Sequence, residues 1–178
     1  MHAEAYEWLA SIPITPNQRI LEIGSRNING SARTIFEPWS SLYVGVDIVS
    51  GNGVDFVGNI VDVRKRGMLV AMYGDDWDTI ICTETFEHTP AEPLLTAIFL
   101  LARVGTTMIF TWASELRAPH SADGGPLKDG EYYQGLSNME FASILKKVSA
   151  DCYYKISVQF AGTDGDVYAL VKVIGHAR

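Results

Sequence analysis

The feature that most constrains this chain is a short apolar run that ends on glycine and opens into a polar loop. Arg19-Ile20-Leu21-Glu22-Ile23-Gly24 is too short for a helix and too apolar for an exposed segment, so it reads as a buried strand. The loop Ser25 to Gly30 follows. Ser31 reads as the N-cap of a helix through Phe36, with Pro38 as its stop. The alternation then repeats. Leu42 to Asp47 is a second strand and Val54 to Val57 a short third. Val63 to Tyr73 is helical and is stopped by Gly74-Asp75-Asp76. Trp77 to Thr83 is the fourth strand, Pro90 to Val104 a helix, and Thr106 to Trp112 the fifth strand. Asn138 to Val148 is helical. Tyr153 to Phe160 and Val167 to Ile174 pair as a hairpin across Gly162-Thr163-Asp164-Gly165. A short helix over Ala3 to Ile12 precedes it all. The pattern predicts an α/β chain with a mainly parallel sheet of about seven strands and a C-terminal antiparallel hairpin.

In such a sheet, ligands bind beyond the carboxyl ends of the strands. The first strand ends at Gly24 and the second at Asp47. An acidic side chain at Asp47 can accept hydrogen bonds from both ribose hydroxyls of a nucleoside, so the spacing points to an adenosine-containing cofactor. The loop narrows the choice. A dinucleotide fingerprint, G-x-G-x-x-G, needs glycine where the backbone meets a pyrophosphate, and Arg26 holds that position here. Ser25, Asn27, Asn29 and Ser31 suit instead the amino and carboxylate ends of an amino acid, as does Glu22 facing an ammonium.

Three segments resemble a known family. Leu21-Glu22-Ile23-Gly24-Ser25-Arg26-Asn27-Ile28-Asn29-Gly30-Ser31 is similar to the first motif of class I S-adenosylmethionine-dependent methyltransferases, in the branch with an asparagine-containing loop. Val44-Gly45-Val46-Asp47-Ile48 resembles the second motif. The stretch Asp78 to His88 resembles the fourth, an E-x-x-E-H segment carried by Glu84, Glu87 and His88. The resemblance covers residues 18 to 112 and implies a Rossmann-like three-layer sandwich over one domain, residues 1 to 178, with S-adenosylmethionine as cofactor. It implies that Glu22, Gly24, Ser25 and Asn27 line the methionine end, that Asp47 binds ribose, and that Ile48 packs near adenine. Thr83, Glu84 and Phe86 would border the sulfonium. Asn59 stands where the family often has an aspartate for the adenine amino group; its carbonyl can still accept.

Methyl transfer from a sulfonium is an in-line displacement with an activated leaving group, so the enzyme mainly aligns the reactants and removes a proton where the acceptor needs it. His88 and His120 are the candidate bases, with a helix-capping role as the plainer reading of His88. Ala113 to Leu136 is too long and too rich in glycine and proline for an ordinary connection. It is the candidate substrate lid, with Tyr132 and Tyr133 as substrate contacts.

Composition bounds the partners. The chain has 178 residues, a net charge of −7 and a hydrophobic fraction of 47%. An acidic surface repels phosphate backbones, so nucleic acid is a poor partner and a small-molecule acceptor the default, with a protein acceptor next. No motif for amino-methylation of a nucleobase or for cytosine carbon methylation follows the fourth strand. Arg64, Lys65 and Arg66, the one basic run, read as a solvated helix start. Two cysteines, no leader-like order at Met1 to Ala10 and no long apolar run lead to the expectation of a cytoplasmic protein. Asn29-Gly30-Ser31 then matches a glycosylation acceptor by accident, and Cys82 reads as an inert buried thiol. Glu84, Glu87 and His88 fit no standard ligand spacing, and no second cluster completes them, so no metal is expected. Two rivals stand beside the methyltransferase reading. One is a non-catalytic methyltransferase-like domain that binds cofactor or a partner. The other is an NAD-dependent oxidoreductase, which Arg26 disfavours.

Overall fold

The computed structural model describes residues 3–177. Seven strands form one sheet: β1 (Gln18–Ile23), β2 (Ser40–Asp47), β3 (Phe56–Val57), β4 (Thr79–Thr83), β5 (Thr107–Ala113), β6 (Tyr154–Gly162) and β7 (Asp166–His176). Five helices accompany them: α1 (Ala3–Ser11), α2 (Arg33–Phe36), α3 (Val63–Tyr73), α4 (Ala91–Phe99) and α5 (Asn138–Asp151). The strand order is β3-β2-β1-β4-β5-β7-β6. The first five strands run parallel, and β7 inserts antiparallel between β5 and β6. The expected α/β architecture, parallel sheet and closing hairpin are all present. Order reverses between β1 and β4, which places the switch-point crevice beside the end of β1.

Alternation along the strands builds the layers. Ile20, Tyr43, Ile81 and Ile109 face Leu9 of α1 and Phe36 of α2. Their neighbours Leu21, Val44, Ile80, Cys82, Met108 and Phe110 face Leu69, Leu95 and Phe141 of the other three helices. With both faces covered, the buried stretches of the parallel strands are largely apolar, with Glu22 of β1 the buried charged exception. Each fully buried aliphatic or aromatic side chain contributes roughly 1.5–3 kcal/mol.

Local differences from the sequence expectation have identifiable causes. α2 is a single turn, and its cap position is Ala32; Ser31 Oγ still accepts from the Arg33 N–H at 3.1 Å, one residue outside the cap. Pro38 does not stop the chain's coiling but opens a 3-10 turn, Glu37–Trp39, where its missing N–H costs nothing. β3 shrinks to two residues because Asp55 is held by its side chain, which accepts from the Gly45 N–H at 2.7 Å and pairs with Arg33. The basic run lies in the first turn of α3, which Asp62 caps by accepting from the Arg64 N–H. No helix among the described residues is long and apolar enough to cross a membrane.

Candidate functional site

At the carboxyl edge of the parallel strands lies a cavity of about 1050 Å³. That is the upper end of the roughly 300–1,000 Å³ typical of small-molecule sites. Its walls are the loops after β1, β2, β3 and β4, and the long segment after β5 covers it.

The β1 loop is shaped by hydrogen bonding and by glycine. The N–H groups of Gly24 and Ser25 both donate to Val46 O, at 2.9 and 3.1 Å, which turns the chain sharply over β2. Gly24 has φ +73°, and a Cβ there would lie 2.0 Å from Thr85 Oγ1. Only glycine permits the β1 and β4 loops to approach this closely. Ser25 Oγ is buried and has no protein partner, so it is a donor available to a ligand. Asn27 does not line the cavity: its Oδ1 accepts from the Gly30 N–H at 3.0 Å and its N–H donates to Asn52 O, so it shapes the loop.

Asp47 ends β2 at the cavity wall. Its carboxylate accepts from the Val49 N–H at 3.0 Å and the Arg26 N–H at 3.2 Å, which leaves lone pairs for a diol. Ile48 follows and is 67% exposed, an apolar surface open at the place expected for adenine. Asn59 reaches the wall after β3, where its Oδ1 accepts from the Val61 N–H.

Glu22 lines the cavity yet is only 1% exposed. It accepts from Tyr43 Oη at 2.9 Å. Burial pushes its pKa up to about 7, against the opposing pull of the Tyr43 hydroxyl and the Arg33 charge. A buried carboxyl poised near neutrality beside a cavity is suited to a cationic group.

At the end of β4, Thr83 and Glu84 line the cavity. Glu84 adopts φ +50°, a conformation that costs a non-glycine residue roughly 1–3 kcal/mol and is maintained by its surroundings. Those surroundings are Thr111 Oγ1, which donates at 2.8 Å, and Arg117, whose Nη1 pairs with Glu84 at 3.0 Å and with Asp166 at 2.5 Å. Phe86 does not border the cavity. The 3-10 turn Phe86–His88 directs its ring into the core, edge-on to Phe110, Trp112 and Phe141.

The segment after β5 covers the cavity. It is pinned at both ends: Arg117 grips Glu84 and Asp166, the Gln134 N–H donates to Glu87 O, and the Leu136 N–H donates to Ala113 O. Its tip meets the β1 loop through an Arg26–Asp123 ion pair at 2.7 Å. His120, Ser121 and Tyr132 line the cavity, whereas Tyr133 packs behind them. The rings of His88 and His120 lie 5.2 Å apart, and Tyr133 touches both, at 5.6 and 5.0 Å. Burial, and then the neighbouring His120, hold the His88 imidazole below its usual range. Cys82 lies fully buried in β4, and burial pushes its thiol far up.

Sequence reasoning missed Arg26, Ile28, Thr85 and Arg117 as parts of the site. Arg26 was legible only as an obstacle to pyrophosphate; Arg117 carried no motif, and its partners lie 33 and 49 residues away.

No family model matches the chain, and no curated protein matches it. Solved structures do. A methyltransferase described as S-adenosylmethionine dependent, from Mesorhizobium loti, superposes with a TM-score of 0.65 at 11% identity, over 95% of this chain and 97% of that one. The DhpI-SAM-HEP complex superposes with a TM-score of 0.61 at 15% identity, over 94% and 83%. The CurJ carbon methyltransferase gives 0.55 at 14% identity; the match covers 96% of this chain but only about half, 51%, of that one. The chain therefore has the Rossmann-like fold of class I methyltransferases.

Proposed function

We propose that this chain is an S-adenosylmethionine-dependent methyltransferase acting on a small molecule. The observation that carries the reading is the placement of Glu22, Ser25, Asp47 and Ile48 around one cavity at the topological switch point. Their chemistry matches the parts of the cofactor in order: an anion for the ammonium, a hydroxyl donor for the carboxylate, an acid for the ribose and an apolar surface for adenine. Gly24 and Thr85 form the floor beneath the methionine end. Thr83 and Glu84 border the sulfonium, and Asn59 is the acceptor for the adenine amino group. His88, His120 and Tyr132 line the acceptor half. The segment 113–136 acts as a cover that excludes water, with its ends fixed and its tip latched to Arg26.

Calorimetric titration with S-adenosylhomocysteine, with NAD alongside, tests this directly. Micromolar binding of the first and none of the second is expected. Asp47→Ala should lose about 1.5–3 kcal/mol, roughly tenfold or more in affinity. Asp47→Asn keeps one acceptor and should fall between. Tight NAD binding, or no binding of S-adenosylhomocysteine, would overturn the proposal.

A further inference from the structure

Beside the cofactor region, three side chains converge that spacing alone did not bring together. Glu87, His88 and His120 place one ligand atom each within 4.8 Å of one another. Glu87 is fully buried, and neither of its carboxylate oxygens has a hydrogen-bond partner of ordinary geometry. The main-chain N–H groups of Glu87 and Ala113 and the charge of Arg117 offset only part of its desolvation, and Arg117 is already engaged by Glu84 and Asp166. A fully buried carboxyl whose polar contacts are this incomplete is costly and calls for an explanation, such as an ion. His120 is oriented for the same purpose. Its Nδ1 lies 3.2 Å from Ala118 O; a carbonyl only accepts, so Nδ1 carries the proton and Nε2 keeps a free lone pair.

We infer that Glu87, His88 and His120 form a binding site for a divalent first-row transition-metal ion. Two imidazoles and one carboxylate are the donor set that such ions favour over magnesium or calcium. A four-coordinate ion with bonds of roughly 2.0–2.2 Å spaces its ligands about 3.4 Å apart, so the three side chains close in slightly on binding. The imidazoles line the cavity and Glu87 approaches from the core, so the remaining coordination positions face the cavity. Resting on the methyltransferase reading, this identifies the acceptor class: a molecule with a hydroxyl or carboxylate oxygen able to complete the coordination sphere next to the methyl group. The sequence had made a metal unexpected because the completing ligand, His120, lies on the segment after β5, far from the E-x-x-E-H run.

The test uses the pure, chelator-treated protein titrated with Co²⁺, Zn²⁺ and Mn²⁺. The expected result is one equivalent of bound ion, with visible Co²⁺ ligand-field absorption. His120→Ala and His88→Ala should weaken it by about 10- to 100-fold or more. His120 is half-exposed, so its variant should fold, as a thermal melt will verify, and it decides the matter if Glu87→Gln does not fold. No binding of any of the three ions overturns the inference, as does binding that is unchanged in His120→Ala. S-adenosylhomocysteine titration of the same samples separates the two claims. Cofactor binding without metal removes only this inference, and metal binding without cofactor removes the methyltransferase reading with the acceptor class drawn from it and leaves the metal site standing.

Discussion

Gly24→Ala is expected to destabilise the protein by roughly 2–5 kcal/mol and to abolish measurable binding of S-adenosylhomocysteine. Two effects add. An alanine must hold φ +73°, which L side chains rarely adopt, and its Cβ would overlap Thr85 Oγ1 at 2.0 Å. Relief by a small shift is blocked, because Gly24 N–H is tied to Val46 O and Thr85 Oγ1 to Thr83 O. The two contributions can be separated. Thr85→Ala removes Oγ1 but leaves a Cβ at 3.2 Å, so the double variant should recover the overlap and retain the backbone cost. A double-mutant cycle by thermal denaturation measures this coupling. A melting temperature for Gly24→Ala within error of the parent protein would mean that the β1 and β4 loops do not meet as described.

The architecture was legible because it is written in local periodicity. The strands of the parallel sheet are short, largely apolar runs, and three of them, β1, β2 and β4, are closed by a residue whose chemistry marks an end: Gly24, Asp47 and Thr83. The residues at those ends fall at the cavity because the parallel arrangement brings all carboxyl ends to one edge. What failed was side-chain direction within irregular backbone. Phe86 is two residues from Glu84, yet the 3-10 turn that begins at Phe86 sends its ring to the aromatic cluster, while the Glu84 side chain stays at the cavity. Asn27 carries the right chemistry for a ligand, but its own loop uses it. The segment after β5 was legible as a candidate lid from its length and its glycines, but its anchors were not, because they are long-range: Arg117 to Glu84 and Asp166, Gln134 to Glu87. No period or motif encodes such pairs. The convergence of Glu87 with His120 belongs to the same class, since only the folded chain brings the β4 turn under the β5 segment.

Glu22 yields the second large effect, and its sign can be worked out. Its pKa is about 7 in the folded protein against 4.5 ordinarily, because burial penalises the charged form most. Below pH 4.5 the carboxyl is protonated in both states and burial carries no charge penalty. As pH rises toward 7, the unfolded chain releases this proton and the folded chain retains it, so stability falls. Above 7 the loss is complete, on the order of 3 kcal/mol. Glu22→Gln should therefore gain on the parent protein across that window in denaturant titrations, and the difference should level off above neutrality. Tyr43→Phe removes a donor to the carboxylate and should move the midpoint upward. The cofactor reading adds a consequence. An ammonium beside Glu22 favours its ionised form, so a protein already protonated there must release a proton on binding. Affinity for S-adenosylhomocysteine should then be about tenfold weaker at pH 6 than at pH 8, with calorimetric heats that vary with buffer ionisation enthalpy. Glu22→Gln should bind weakly at every pH and lose that slope. A parent-protein affinity that stays flat from pH 6 to 8 would remove Glu22 from the methionine end while leaving the stability argument, which rests on burial alone, in place.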